Sequence, residues 1–373
     1  MFRAPLGFAV GLGLALASTS LQAAELKVGL IMAMTGPYAF AGEPAAKGAK
    51  LAAEELNAAK FFGNDTLVLT SEDNGGDKAQ ALTLLNRFAH DGSLLVLGPT
   101  STVEVSSVAG LANELKIPIF NHTFNMDVLK TGIWPFKITA PPAAIMSGIA
   151  DFTVNKLKAK SAAMIFIREN EGYVSQKNSY RDYLKDHGVK IAADESLLGS
   201  DTDFTALSTK LAAMDLDTIF IATPAEIGAN IIAQLKQAGL KSSVRFVTGT
   251  SMASDAFVKA GGKAVEGVFV AADFVPGGIN DIGRKFVADY KKKYNGEPDN
   301  WAAVGYSLMQ LSAVAIKKSQ PNPTRDTVRA ALAGLRNEPT VLGTGSFSFD
   351  EGRAPSYGIA VLAIKDGKFV NAN

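Results

Sequence analysis

Cysteine is missing altogether from the 373 residues. That excludes disulfides, thiol nucleophiles and a lipid-modified cysteine behind a leader. Histidine is nearly missing: His90, His122 and His187 are the only three, and no two fall at metal-ligand spacing. There is no G-x-S-x-G elbow, no phosphate-loop pattern and no H-E-x-x-H pair. Gly261-Gly262-Lys263 lacks the upstream glycine of a phosphate loop and reads as a helix end. The adjacent carboxylates Glu54 and Glu55 read as exposed helix positions. No metal, no cofactor and no catalytic set is expected.

Long apolar runs are confined to the start. Arg3 precedes an unbroken apolar or glycine stretch over residues 6–17, and residues 18–24 are small and polar. These are the three regions of a secretory signal, and the apolar run is too short to span a bilayer. Residues 1–24 are therefore expected to be a signal peptide cleaved near Ala23 or Ala24. Its removal takes one basic residue and leaves 36 basic against 36 acidic. A neutral chain gives no electrostatic case for nucleic acid or an anionic membrane. The Lys291-Lys292-Lys293 run reads as a solvated helix face. The mature chain is expected in the periplasm, not membrane-embedded, as a monomer.

What is present is alternation. A length of 373 residues exceeds what one core usually supports, so two domains are expected. Apolar runs at 27–34, 66–71 and 94–97 read as strands, each followed by a helix-period segment, at 44–59, 77–91 and 103–115. After Pro141-Pro142 the beat restarts. Strands are expected at 162–167, 191–197, 218–222, 244–248 and 265–270, with helices at 144–157, 175–187, 203–214 and 226–238 and a short one near Ser254. Asp273 to Gly278 reads as a second crossing. Helices at 281–295, 301–318 and 324–335 follow, then strands at 345–349 and 357–364 and a hairpin turn at Asp366-Gly367. The fold class is α/β, with parallel sheets covered on both faces.

The densest stretch is 94–125. A strand runs into Gly98-Pro99, then Thr100, Ser101 and Thr102 open a helix. A second short strand at 118–120 opens onto Asn121-His122-Thr123-Phe124-Asn125. Parallel sheets bind ligands at the carboxyl ends of their strands, and a helix start adds free N–H donors. Such a loop set suits a small carboxylate. Ser101 or Thr102 acting as a helix cap is the competing reading, and the two can coexist.

These residues resemble the periplasmic solute-binding proteins of the leucine/isoleucine/valine type that serve ABC importers. The resemblance rests on KVGLIMAMTGP, on VLGPTST followed by KIPIFN, and on Gly172-Tyr173 after a strand. DTDFTALSTKL, QAGL and KDGKFV continue it. It implies the type I periplasmic binding fold: two doubly wound parallel-sheet lobes joined by three hinge crossings, with the ligand between them. The lobes would be residues 25–143 plus 274–350 and residues 144–273 plus 351–373. The implied partners are a small organic carboxylate and a membrane permease.

Carried over position by position, the resemblance assigns the ligand carboxylate to Thr102, with Ser101 beside it, and to Thr123 and Asn125. Tyr173 would pack on the ligand. Two positions depart. Thr250 stands where amino-acid-binding members place an acidic residue for the ligand ammonium, and Thr223 stands near a family aromatic. Ala41 replaces an aromatic in the first lobe, with Phe40 and Tyr38 adjacent. A buried ammonium without a carboxylate costs several kcal/mol in principle. The expected ligand is therefore an aromatic or similarly bulky acid, with a branched-chain or other amino acid as the alternative. A periplasmic amidase or deacylase and a ligand-presenting sensory module are the readings from other classes.

Overall fold

The structure, a computed structural model, describes Met1 and residues 23–372. The leader expected over residues 1–24 lies almost wholly outside the described residues. Strand β1 (Glu25–Met32) is apolar on both faces after Lys27 because helices cover both. It is followed by α1 (Ala39–Ala58), β2 (Thr66–Asp73), α2 (Lys78–His90), β3 (Leu95–Leu97), α3 (Thr102–Glu114), β4 (Ile119–Asn121) and β5 (Pro135–Lys137). The five strands form one parallel sheet in the order β2-β1-β3-β4-β5.

The chain then builds a second sheet. Its elements are α4 (Pro142–Asn155), β6 (Ser161–Ile167), α5 (Glu171–Asp186), β7 (Lys190–Leu197), α6 (Thr205–Ala212), β8 (Thr218–Ala222), α7 (Ala225–Gln237), β9 (Arg245–Thr248), α8 (Asp255–Gly261) and β10 (Phe269–Ala272). Three helices return beside the first sheet: α9 (Asp281–Tyr294), α10 (Asn300–Lys318) and α11 (Arg325–Ala333). The antiparallel strands β11 (Glu338–Pro339), β12 (Ser346–Phe349) and β13 (Pro355–Ser356) form a small sheet of their own. The last two strands, β14 (Ala360–Lys365) and β15 (Lys368–Asn371), complete the second sheet, ordered β15-β14-β10-β9-β8-β6-β7.

The strand–helix beat falls where the periodicity predicts it, with four instructive differences. Helix α1 starts at Ala39 rather than at residue 44, because Pro44 is accommodated inside it. Proline there gives up one early helical hydrogen bond, while Phe40 and Ala41 gain burial. Helix α5 starts at Glu171, ahead of the expected 175, on an Asn170 cap. The strand expected at 265–270 is displaced to β10, since Gly267 (φ +78°) makes a turn. Strand β5 was not anticipated at all: Pro135 argues against a strand, yet β5 is the sheet edge, where a missing N–H is tolerated.

Helices α1 and α10 cross at backbone contact. A Cβ on Gly48 would sit 1.9 Å from the Ala302 carbonyl, and one on Gly305 would sit 1.9 Å from that of Ala45. This crossing plants the start of α10, and with it Trp301, above the carboxyl end of the first sheet. No helix among the described residues is long and apolar enough to cross a membrane.

Candidate ligand-binding cleft

In both sheets the parallel strands follow the order 2-1-3-4-5, so each has a switch point beside its first strand. The loops leaving the carboxyl ends of β3 and β4 face those leaving β6 and β9. Between them lies a cavity with about 380 Å³ of space not filled by atoms, its mouth included. Its lining holds five aromatic side chains and an imidazole: Tyr38, Phe40, Phe124, Tyr173, Trp301 and His122. Thr100, Ser101, Thr102, Thr250 and Ser251 supply hydroxyls, Asn170 and Gln176 amides, and Ala41 and Gly172 close approach. Among the described residues the lining contains no Asp, Glu, Lys or Arg.

The capping and ligand readings of the α3 start separate onto two residues. Ser101 is the cap: its Oγ accepts from the Glu104 N–H (3.3 Å), and the Glu104 carboxylate accepts from the Ser101 N–H (2.9 Å). Thr102 does something else. Its Oγ1 accepts from the Thr123 hydroxyl (3.2 Å) and from the Phe124 N–H (3.3 Å). Thr123 Oγ1 in turn accepts from the Asn125 N–H (3.1 Å). Each group in this chain donates toward Thr102, which leaves the Thr102 proton as the free end, polarised by the others.

Five of the eight residues singled out from sequence therefore line one cavity: Phe40, Ser101, Thr102, Tyr173 and Thr250. Thr123 stands one layer back, fully buried behind Thr102. Asn125 turns away: its Oδ1 accepts from the Asp127 N–H (2.9 Å) and its Nδ2 donates to Ser106 (3.1 Å). Thr223 is also behind the wall, donating to its neighbour's carbonyl at Pro224 (3.0 Å) while its own carbonyl takes the Ser251 hydroxyl (2.8 Å).

Sequence reasoning placed Thr100 and His122 in the two ligand loops without a role of their own, and gave none to Asn170, Gln176, Ser251 or Trp301. Asn170 could have been found by the strand-end logic, since it follows β6 and caps α5 through the Gly172 N–H (2.9 Å). Gln176 lies one helical turn beyond Gly172. Trp301 carries no local signal, because it reaches Phe40 and His122, the rings it packs on, from far downstream in the chain through the α1–α10 crossing.

The two halves touch across the cavity. Asn170 Nδ2 donates to the Tyr38 hydroxyl (3.0 Å). A Cβ on Gly172 would stand 2.6 Å from Thr102 Oγ1, so only glycine lets the starts of α3 and α5 meet this closely.

Four buried polar atoms in this lining have no hydrogen-bond partner: His122 Nε2, Gln176 Oε1, Thr250 Oγ1 and Trp301 Nε1. Such atoms normally find partners, and their clustering in one cavity points to a ligand that supplies them. His122 packs edge-on against Trp301 (4.6 Å between centroids) and Phe124 (5.4 Å). Burial, then the nearby charge of Lys137, pushes its pKa down to about 3, so it is neutral. Burial likewise raises the Tyr38 and Tyr173 hydroxyls, which stay protonated.

Behind His122 stands Asp273, fully buried, with Oδ2 4.0 Å from the imidazole Nε2. Burial raises its pKa. Asp273 Oδ1 accepts from the Tyr357 hydroxyl (2.5 Å), whose oxygen accepts from the Ala140 N–H (3.3 Å). Its carbonyl accepts from the Gly343 N–H (2.7 Å). Segments passing between the two sheets are thus tied together directly beneath the cavity. No group of His, Asp or Glu among the described residues is arranged to hold a metal ion.

A family model described as periplasmic binding protein matches residues 25–368. An amino acid binding protein of Pseudomonas aeruginosa is 28% identical over 331 residues, covering 86% of this chain and 85% of the relative. The fold matches that of a leucine binding protein, LivK, from Thermotoga maritima, with a TM-score of 0.85 at 22% identity, covering 93% of this chain and 98% of the other. It also matches an R. palustris solute binding protein of an ABC transporter in complex with benzoate, with a TM-score of 0.83 at 19% identity, covering 94% and 96%.

Proposed function

Because this chain belongs to the periplasmic binding protein family, we propose that it is the substrate-binding component of an ABC uptake transporter. It captures a small carboxylate, aryl or similarly bulky, and delivers it to a membrane permease. The observation that carries the ligand class is a lining of rings and hydroxyls without one ionised side chain. The Thr102 proton and the orphan N–H groups at the α3 start suit a carboxylate. The rings suit a flat apolar body. An ammonium would be buried without a counter-charge, at a cost of several kcal/mol.

On this reading residues 1–24 are removed on export and the monomer works in the periplasm. Lobes 25–143 plus 274–350 and 144–273 plus 351–373 close about the segments tied to Asp273. The second reading is a branched-chain amino acid, favoured by the names of the Pseudomonas and Thermotoga relatives. In that case Gln176, Thr250 and His122 would have to satisfy the ammonium as neutral acceptors.

A thermal-shift and calorimetric panel of benzoates, phenylpropenoates, fatty acids and the twenty amino acids decides between them. Tight binding of an aryl acid, recovered unchanged, is the expected result. Leucine or valine binding with no response to any aryl acid would overturn the ligand class. Turnover of the bound compound would make the protein an amidase or deacylase instead.

A further inference from the structure

Building on the aryl-acid reading, we infer that the ligand carries a ring hydroxyl besides its carboxylate, and that Gln176 selects for it. Gln176 is 1% exposed on α5. Its Nε2 donates to the Gly172 carbonyl (3.3 Å), which fixes the amide's orientation, since the reverse would set two oxygens together. Oε1 therefore faces Gly249, where a Cβ would lie 2.0 Å from it, and no group in the protein donates to it. An amide oxygen only accepts, and a carboxylate only accepts, so the ligand's acid group cannot serve it.

The neighbouring unpaired atoms narrow the chemistry. Thr250, fully buried beside Gly249, can donate or accept. Trp301 Nε1 only donates. A ring hydroxyl can give its proton to Gln176 Oε1 and take one from Thr250 or Trp301. An ammonium also donates, but no carboxylate lines the cavity. Two carboxylates stand behind the wall and both are taken: Asp273 by Tyr357 on Oδ1 and Asn300 on Oδ2 (3.1 Å), and Glu104 by Asn74 and the Ser101 N–H.

The test is calorimetric titration of benzoate, 3-hydroxybenzoate, 4-hydroxybenzoate and leucine into wild type, Gln176→Met and Thr250→Val, with melting curves for each. Wild type should bind one hydroxybenzoate at least tenfold more tightly than benzoate. In Gln176→Met that preference should fall to within about threefold, the hydroxybenzoate losing more affinity than benzoate. Benzoate bound by wild type as tightly as both hydroxylated acids overturns this inference and leaves the aryl-acid reading standing. So does a Gln176→Met protein that weakens all aryl acids equally, which marks a purely structural role. If Gln176→Met does not fold, the wild-type ranking and Thr250→Val decide. Leucine bound alone, or nothing bound, overturns the aryl-acid reading and this inference with it.

Discussion

Thr102→Val keeps the shape of the side chain and removes one oxygen. That oxygen accepts the Thr123 hydroxyl and the Phe124 N–H, so the substitution strands two donors, one on a residue with no exposure. Leaving a buried donor unpaired costs about 1–3 kcal/mol, and a moderate fall in stability is expected. The second loss is separate. A hydrogen bond to a charged carboxylate is worth about 1.5–3 kcal/mol, so affinity for an aryl acid should drop about ten- to a hundredfold. Thr102→Ser restores the oxygen and should recover most of both.

Calorimetric titration beside a scanning melt reads the two losses independently. If Thr102→Val melts lower yet binds within twofold of wild type, the Thr102 proton does not meet the carboxylate. The hydroxyl chain through Thr123 is then only internal support. Ser101→Ala provides the contrast: it removes the α3 cap, about 1 kcal/mol of stability. Its effect on affinity should be smaller than that of Thr102→Val.

Gly172→Ala should weaken binding at least tenfold with little change in melting without ligand, because the added methyl meets Thr102 Oγ1 only when the halves touch; unchanged affinity would show that this contact is not part of the bound state. Of the two tryptophans, only Trp301 lines the cavity, while Trp134 packs among α2 and α3 residues. Ligand should therefore alter fluorescence in Trp134→Phe and not in Trp301→Phe, and the reverse pattern would misplace the site. Lys137 is fully buried and burial lowers its pKa from 10.5 to about 7. The unfolded chain thus holds more protons between those values, so Lys137 makes stability rise from pH 7 towards 10.5. Urea midpoints of Lys137→Met should lack that rise and exceed wild type at pH 7; identical slopes would show that Lys137 keeps its proton in the fold.

How much of this could be read in advance follows from where the information sits along the chain. Strands and helices were legible because period 2 and period 3.6 are local, and Gly98-Pro99 and Pro141-Pro142 punctuate them. The α3 start was legible as a site because strand, turn, hydroxyl cluster and helix follow one another within a few residues. Which hydroxyl caps and which is free was not, because that depends on Glu104 reaching back to Ser101 and on Thr123 arriving from the next strand. Trp301 and Gln176 were not legible either. Their place in the lining is set by a helix crossing at Gly48 and Gly305 and by the facing of two sheets, both tertiary facts.

The same four unpaired atoms bear on how the protein would separate its loaded and unloaded forms. Contacts such as Tyr38–Asn170 and the Gly172 approach to Thr102 favour bringing the halves together. Burying Gln176 Oε1, Thr250 Oγ1, His122 Nε2 and Trp301 Nε1 without partners opposes it, at about 1–3 kcal/mol each. Turning a two-state equilibrium from 1:99 to 99:1 requires about 5.5 kcal/mol of differential binding. A ligand that satisfies two or three of these atoms supplies roughly that, before any ring contact is counted. On the proposed reading, polar groups held unpaired in the wall would both choose the ligand and keep the cleft from closing firmly on anything that lacks the matching groups. A fully apolar wall would bind flat acids as well but would close on them with less discrimination.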